Sequence, residues 1–192
     1  EDTPLDPRSP YSASKAGSDV LALSYRTTYG MNVVVTRCCN NYGPRQHGEK
    51  LIPTVLRTLI NGKKVPVYGN GKNIREWIYV TDHAKALIEI LHKTESKPVY
   101  NIYGRQREQN IKLINEIIVE LVNIDSKYSK GYEIEDYVEY VTDRPGHDLC
   151  YKMSSKYDEI KALKDQEKFN SGLLKTILYY KSKYEKKDPT TI

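Results

Sequence analysis

A tyrosine and a lysine four residues apart are the side chains of this sequence best suited to proton-transfer chemistry. Tyr11 and Lys15 lie in the stretch Tyr-Ser-Ala-Ser-Lys, and residues i and i+4 of a helix share one face. A lysine charge stabilises a nearby phenolate, so the tyrosine can accept a proton from an alcohol while hydride leaves the same carbon. The spacing alone also suits an ordinary surface pair. The helix start at Pro10 and the small residues around the pair favour the chemical interpretation, because they let a ligand approach closely.

Three polar side chains in predicted loops are suited to hold a diphosphate. Arg75 precedes a predicted strand, and Asn110 and Arg144 occupy comparable loops. A guanidinium presents a planar set of donors that matches phosphate oxygens. The alternative for Arg75 is an exposed side chain paired with Glu76.

The turn Asp-Arg-Pro-Gly-His-Asp at residues 143–148 is a further candidate binding segment. It places Asp143, Arg144 and His147 around a rigid turn, which an ordinary solvated loop explains less easily. The histidines of the chain have no partner at a metal-ligand spacing. The sequence therefore predicts no metal site, and it predicts a structural role for His83.

Two neutral amides, Asn40 and Asn41, follow a predicted buried strand. Ligands of doubly wound sheets gather at the carboxyl ends of strands, where an amide can orient a hydroxyl or an amide ring. An ordinary turn is an equally good interpretation of these two residues.

Hydrophobic periodicity and turn residues predict alternating helices and strands. Helices are predicted at 11–29, 51–60, 110–122, 154–163 and 170–184, with another that Thr81 or Asp82 caps. Strands are predicted at 31–39, 65–69, 76–80, 100–103 and 137–141. The run Val33-Val34-Val35 predicts a parallel strand covered on both faces. The segments 65–69 and 76–80 flank a predicted turn at 70–73, and 126–136 is predicted to be a polar, mobile excursion.

Composition narrows the class of protein. The chain has 192 residues, of which 39% are hydrophobic, enough for one core and a smaller lobe. The net charge of +5 is dispersed, so an anionic small ligand suffices and no nucleic-acid partner is expected. Three cysteines without a metal-ligand spacing suit a reducing compartment. Without a long apolar run or a leader, we expect a soluble cytoplasmic protein with no membrane partner.

Five motifs occur in the order typical of a known family. They are Tyr-Ser-Ala-Ser-Lys, Asn-Asn-Tyr-Gly-Pro, Glu-Lys-Leu-Ile-Pro, Arg-Glu-Trp-Ile-Tyr-Val-Thr-Asp-His-Ala and Asp-Arg-Pro-Gly-His-Asp. Over nearly its whole length the chain resembles the dTDP-glucose 4,6-dehydratases of the extended short-chain dehydrogenase/reductases. The resemblance implies an α/β fold: the C-terminal part of a doubly wound Rossmann-type parallel sheet plus a smaller mixed α/β substrate-binding lobe. Residues 1–50 would end the NAD-binding domain, and 51–192 would form mostly the substrate lobe, with some segments returning to the Rossmann sheet.

The resemblance also implies roles for individual residues. Tyr11 would be the base and Lys15 would hold the ribose of NAD, while Asn41 would line the nicotinamide and Asn40 the substrate. The other implied sugar-nucleotide contacts are Lys50, Leu51, Pro66, Val67, Tyr68, Arg75, Asn110, Asp143, Arg144, His147 and Tyr151.

The activity implied is NAD-dependent dehydration of a nucleoside-diphosphate-glucose, with dTDP-glucose favoured, to a 4-keto-6-deoxy sugar for deoxysugar biosynthesis. The helix at 11–29 resembles one that pairs two subunits, which implies a homodimer. The family's glycine-rich NAD turn and Thr-Asp-Glu motif do not occur in these 192 residues, so we expect an incomplete portion that is inactive alone. Two alternatives stay open: a sugar-nucleotide epimerase or decarboxylase of the same extended family, and a non-catalytic sugar-nucleotide-binding module.

Overall fold

A computed structural model describes residues 1–143, 148–157 and 159–186. Helices and strands alternate in this part of the chain, which confirms the predicted α/β class. The helices are α1 (Pro10–Tyr29), α2 (Leu51–Ile60), α3 (Val80–Leu91), α4 (Asn110–Ile124) and α5 (Phe169–Glu185). The strands are β1 (Val35–Cys38), β2 (Asn40–Tyr42), β3 (Val65–Tyr68), β4 (Ile74–Tyr79), β5 (Val99–Ile102), β6 (Gln106–Gln109) and β7 (Val138–Val141). Single turns of 3-10 helix lie at Ser126–Tyr128, Ile134–Asp136 and Lys161–Leu163.

Strand pairing within the described residues is mostly parallel. β1 pairs with β5, β2 with β4, and β3 with β7, all in parallel, whereas β6 is antiparallel to β4. The central sheet therefore has the order β2-β4-β6. This arrangement places β4 between the two short strands that flank it, so side chains of β4 lie at the middle of the fold.

The helix α1 starts and ends where local chemistry dictates. Its N-cap Ser9 accepts a hydrogen bond from the backbone N–H of Ser12 at 3.1 Å, Pro10 occupies the first helical position, and Gly30 ends the helix at a φ of 63°. Each feature is a known helix boundary signal. All of α1 is described, and none of its residues is buried.

The main hydrophobic core lies between helices α2, α4 and α5 and the strands β3, β4 and β7. Ile52 and Leu56 of α2, Leu113 and Ile117 of α4, and Ile177 of α5 are all fully buried. A smaller cluster joins α3 to β5 and to Leu163 of the last 3-10 turn. On α3 only part of the apolar periodicity packs inward, because Ala86 and Ile90 are buried whereas Leu87 and Leu91 are exposed.

The strand predicted at 31–39 is shorter and more exposed than expected. It begins at Val35, and Val35 is its one buried residue, whereas Thr36 and Cys38 are exposed. The prediction of a strand covered on both faces is therefore wrong. The β-branched run favours a strand, but burial depends on neighbours, and within the described residues β1 pairs with β5 alone.

Tertiary contacts also correct several local predictions. Asn40 and Asn41 lie in β2 rather than in a turn, opposite Trp77 and Ile78 of β4. The strands β3 and β4 belong to different sheets, so the turn between them does not join paired strands. The strand β6 was not predicted, because its polar sequence carries no alternating apolar pattern.

The predicted cap of α3 is wrong. The helix begins at Val80 after Tyr79, which makes no side-chain capping bond. Asp82 is buried and accepts hydrogen bonds from the backbone N–H of Glu167 at 2.7 Å and from Lys85 Nζ at 3.2 Å. Its carboxylate therefore ties a distant loop to α3 instead of capping the helix.

The helix predicted at 154–163 is also wrong, since the described residues of this range form only the single 3-10 turn Lys161–Leu163. The backbone N–H groups of Lys161 and Ala162 donate to the Glu89 carboxylate at 2.9 and 3.1 Å, so α3 provides their partners. The excursion at 126–136 has local structure as well, because Tyr128 is buried and donates to Glu185 Oε1 at 2.6 Å.

Candidate functional site

A cavity of about 390 Å³ lies against the central sheet. We call it the central cavity. Its lining contains eight residues predicted as substrate contacts: Asn40, Leu51, Pro66, Val67, Tyr68, Arg75, Asn110 and Tyr151. Its other lining residues are Glu49, Thr54, Val55, Val65, Gly71 and Ile114. Residues separated by more than a hundred positions in sequence thus meet around one space.

The walls of the central cavity come from the first residues of two helices and from a strand of the central sheet. Leu51 begins α2, Asn110 begins α4, and Arg75 lies in β4. Gly71, at a φ of 68°, lets the turn before β4 close against the cavity, since a Cβ there would lie 2.8 Å from Val67 Cγ1 and 2.9 Å from Ile111 Cβ. Glycine is the residue that adopts this conformation without strain.

The guanidinium of Arg75 is held at the cavity wall. The side chain is buried and donates from Nη1 to the Ile74 carbonyl and from Nη2 to the Asp148 carbonyl, both at 2.8 Å. Its Cζ atom lies 4.4 Å from the centre of the Tyr151 ring, a cation–π contact. A cation fixed in this way at the wall of a cavity suits an anionic ligand.

The alternative in which Arg75 is an exposed partner of Glu76 is wrong. Glu76 is itself buried, with 1% of its surface exposed, and its Oε2 accepts from Arg107 Nε at 2.6 Å. Its Oε1 accepts from the Gly104 backbone N–H at 3.3 Å. Successive residues of a strand face opposite sides, so Arg75 points to the cavity side and Glu76 to the other.

The segment at 148–151 holds Tyr151 against Arg75. The Tyr151 backbone N–H donates to the Ile74 carbonyl at 3.1 Å, and its hydroxyl donates to Asp148 Oδ2 at 2.6 Å.

Of the remaining predicted contacts, Lys50 precedes α2 and is exposed outside the cavity lining. Asp143 lies against Gly69, also outside that lining.

Two residues of the predicted turn at 143–148 cannot be placed. Arg144 and His147 lie outside the described residues. Their predicted contacts with the sugar nucleotide therefore remain predictions.

Tyr11 and Lys15 line a separate and more open groove of about 630 Å³, which we call the α1 groove. Its lining is Leu5, Asp6, Pro7, Tyr11, Ser12, Lys15, Ala16, Asp19, Thr36, Arg37 and Cys38. Tyr11 is 75% exposed. Arg37 Nε and Asp19 Oδ2 form an ion pair at 2.8 Å that links β1 to α1. The predicted base Tyr11 and its partner Lys15 therefore lie in one groove, but neither residue lines the central cavity.

The two neighbouring asparagines of β2 have different surroundings. Asn40 lines the central cavity, whereas Asn41 donates from Nδ2 to Cys38 Sγ at 3.4 Å, and Cys38 lines the α1 groove. Adjacent residues of a strand point to opposite faces. The side chains of the two asparagines therefore lie on opposite faces of β2, and their predicted contacts with substrate and nicotinamide remain predictions.

Some residues of this region were not predicted to contribute to a binding site. Glu49 and Thr54 line the central cavity, and two signals point to them: Glu49 belongs to the Glu-Lys-Leu-Ile-Pro motif, and Thr54 lies one turn after Leu51 on α2. The imidazole of His83 contacts Asn41, with Nδ1 2.7 Å from Asn41 Oδ1. No local pattern relates these two residues, because 42 positions separate them.

The cysteines of the chain all lie in the described part and form no disulfide. Burial, reinforced by the negative charge of Glu76, raises the pKa of Cys39 to about 12. This thiol is therefore protonated and unreactive at neutral pH.

Within the described residues, no three His, Cys, Asp or Glu side chains are arranged to hold a metal ion. None of the described helices combines the length and apolar character needed to cross a membrane.

The dTDP-glucose 4,6-dehydratases are among the known proteins that this chain is similar to. The chain is 46% identical over 182 residues to a dTDP-glucose 4,6-dehydratase of Escherichia coli, a match that covers 94% of the chain and 50% of the relative. The chain thus spans about half the length of the curated relatives it matches.

Solved structures give the same result. A dTDP-glucose 4,6-dehydratase from Bacillus anthracis in complex with NAD superimposes with a TM-score of 0.80 at 42% identity, covering 96% of this chain and 56% of that one. A UDP-N-acetylglucosamine 4-epimerase from Methanobrevibacter ruminantium is more distant, at 27% identity and a TM-score of 0.76, covering 95% and 57%. The family model described as GDP-mannose 4,6 dehydratase matches residues 1–175, and the chain therefore belongs to this family.

Proposed function

We propose that this chain is part of an NAD-dependent nucleoside-diphosphate-glucose 4,6-dehydratase, a lyase, with dTDP-glucose as its substrate. The observation that carries the proposal is the convergence of eight predicted substrate contacts on one cavity. The dehydratase of known structure is also more similar in sequence than the epimerase, 42% against 27%. This difference favours the dehydratase over the epimerase alternative.

The lining of the central cavity suits the parts of a sugar nucleotide. Arg75 and Asn110 supply a cation and an amide for a diphosphate. Val67 and Tyr68 supply an apolar and aromatic wall for a nucleobase. Asn40 supplies an amide for sugar hydroxyls. At about 390 Å³ the cavity is within the usual range for small-molecule sites.

The α1 groove suits the reactive end of NAD. Tyr11 and Lys15 line the same groove, and Asn41 contacts Cys38 at its edge. When bound, NAD supplies the acceptor and later the donor of hydride. In this proposal the Tyr11 phenolate takes the proton from the sugar 4-hydroxyl, while the Lys15 ammonium stabilises the phenolate and holds the ribose.

We assign residues 1–50 to the NAD-binding domain and 51–192 mostly to the substrate lobe. The pairing of β1 with β5 supports the expectation that a later segment returns to the first domain. Residues 99–102 would be that segment.

We propose a homodimer that pairs through α1. On this helix Val20 and Leu21 are 60% and 61% exposed, and Tyr25 is 46% exposed. Such an apolar surface on a helix without buried residues suits a helix–helix interface. Light scattering of the full-length protein at micromolar concentration should give the mass of two chains, and a monomer would contradict this proposal. A cytoplasmic location is proposed on composition alone.

Calorimetry with dTDP-glucose tests the proposed function of the central cavity. Asn110→Ala should weaken binding by about ten-fold, because an amide donor for the diphosphate is lost. Asn110 suits the test because it is half-buried in the lining of the central cavity, where its Nδ2 group can donate to a phosphate oxygen. Arg105→Ala, an exposed position outside the cavity, is the control.

Two outcomes would contradict the proposal. The first is a folded chain, verified by circular dichroism, that binds no dTDP-glucose or binds it equally well after Asn110→Ala. The second is tighter binding of UDP-N-acetylglucosamine, which would support the epimerase alternative. A full-length protein that binds dTDP-glucose without forming a 4-keto product would support the binding-module alternative.

A further inference from the structure

The interaction between His83 and Asn41 has a defined direction. Asn41 Nδ2 donates to the Cys39 carbonyl at 3.3 Å, which places the amide nitrogen on that side and Oδ1 toward His83. His83 Nδ1 lies 2.7 Å from this oxygen. A carboxamide oxygen only accepts hydrogen bonds, so His83 must donate from Nδ1.

The other nitrogen of the His83 ring determines its charge. Nε2 is buried and has no hydrogen-bond partner among the described residues. In the charged imidazolium this atom would carry a buried, unpaired N–H, which is costly. Burial accordingly lowers the pKa of His83 below its ordinary value. The ring is therefore neutral at pH 7, with its proton on Nδ1.

The hydrogen bonds of Asn41 leave one direction open. Its two amide hydrogens point to the Cys39 carbonyl and to Cys38 Sγ, and one lone pair of Oδ1 accepts from His83. Its backbone carbonyl accepts from Gln46 Nε2 at 2.8 Å, and β2 is paired with β4. Within the described contacts, the remaining capacity of the side chain is one acceptor lone pair.

We infer that His83 is a positioning residue, which fixes the Asn41 carboxamide so that it offers an acceptor, not a donor, to an N–H group of the cofactor. The amide N–H of nicotinamide is such a group. The inference rests on the proposed function for the identity of the ligand, but the orientation of Asn41 is a property of this chain. Without His83 the carboxamide is free to rotate, and its acceptor is no longer directed.

Nitrogen-15 NMR of the imidazole rings tests the geometry in the 192-residue chain itself. We expect His83 to be protonated on Nδ1, unprotonated on Nε2 and neutral at pH 7. His92 is an internal control, since its Nδ1 also lies 2.8 Å from a carbonyl, that of Ile88, but on an exposed helix end. A His83 ring protonated on Nε2 at pH 7 would overturn the inference, whatever the protein catalyses.

A second measurement tests the positioning effect on Asn41. Hydrogen exchange of the Asn41 side-chain amide should accelerate by about ten-fold in His83→Leu, because the carboxamide loses one of its anchors. His83→Asn should restore slow exchange, since its amide nitrogen can occupy the place of Nδ1. His92→Leu should leave the rate unchanged. Equal exchange rates in His83→Leu and the wild type would overturn the inference.

NAD binding by the full-length protein tests the direction of the acceptor. His83→Leu should weaken NAD binding by about ten-fold with the KM for the sugar nucleotide within two-fold of wild type, and His83→Asn should recover most of the affinity. Unchanged NAD affinity in His83→Leu would overturn the proposed role toward the cofactor. A wild-type protein that binds no NAD would instead reject the proposed function, and the NMR result would still decide the role of His83.

Discussion

The two spaces of this molecule are built in opposite ways. In the α1 groove Tyr11 is 75% exposed, and α1 contributes no buried residue along its fully described length. In the central cavity Arg75 is 6% exposed, and α2 buries five of its ten residues. Helical spacing alone places the reactive pair of the groove on one face, whereas long-range packing holds the cavity residues together.

The attachments of α1 are polar. Arg37 pairs with Asp19 across the groove at 2.8 Å, and Arg26 donates to the carbonyls of Val33 and Ser96 at 2.9 and 3.0 Å. The helix α2 instead packs Ile52, Leu56 and other apolar side chains against α4 and α5. Substitutions on α1 should therefore affect chemistry, and substitutions around the cavity should affect stability.

The sharpest test of this contrast is Tyr11→Phe in the full-length protein. Loss of the hydroxyl should lower kcat by about 10²–10⁴-fold, because a general base is removed. The midpoint of thermal unfolding should stay the same, since the side chain is 75% exposed. Turnover at the wild-type rate would reject Tyr11 as the base, and a large fall in the unfolding midpoint would break the contrast between the two regions.

Two leucines compare the regions in stability alone. Leu56→Ala on α2 removes a side chain with 0% exposure and should cost about 2–5 kcal/mol of the free energy of unfolding. Leu21→Ala on α1, at 61% exposure, should change the free energy of unfolding of the monomer by less than about 0.5 kcal/mol. Urea denaturation of the 192-residue chain measures both. Similar losses would mean that α1 is packed more tightly than its exposure indicates.

Two glycines test the same contrast through the backbone. A Cβ on Gly104 would lie 1.8 Å from the Trp77 carbonyl oxygen of β4, so Gly104→Ala should cost about 1–3 kcal/mol or more by displacing that strand. A Cβ on Gly17 meets no atom within 4 Å, so Gly17→Ala should stabilise α1 by up to about 1 kcal/mol through helix propensity. Thermal unfolding of both variants should shift in opposite directions, and shifts of the same sign would contradict this account.

The smallest expected effect concerns the end of α5. Hydrogen bonds from Lys127, Tyr128 and Lys181 lower the pKa of Glu185 from 4.5 to about 2. The folded state therefore binds a proton less readily than the unfolded state, and the stability this carboxylate contributes is present above pH 4.5 and lost as the pH falls toward 2.

Glu185→Gln should cost about 0.5–1 kcal/mol at pH 7, since the group is partly exposed and screened by solvent. The difference from wild type should shrink between pH 4.5 and pH 2, as measured by urea denaturation. Glu95→Gln, at an exposed loop position, is the control. A difference that grows in acid would show that Glu185 is not held as a carboxylate.

The sequence by itself determined the helix α1 and the spacing of the reactive pair on it. The start of α1 at Ser9 and Pro10 and its end at Gly30 depend on interactions within a few residues. The spacing of Tyr11 and Lys15 places these two residues on one helical face. The apolar faces of α2, α4 and α5 follow from helical periodicity for the same reason. The resemblance to the family also indicated eight of the residues that line the central cavity.

Only the tertiary structure decided which of these residues meet. The polar strand β6 exists because β4 provides its hydrogen-bond partners. The residues at 161–163 form a 3-10 turn rather than an α-helix, and Glu89 of α3 accepts hydrogen bonds from the backbone N–H groups of Lys161 and Ala162. The burial of Arg75 and the contact of His83 with Asn41 depend on residues tens of positions away. Such contacts leave no periodic pattern in the sequence, because their energy arises only when packing brings the partners together.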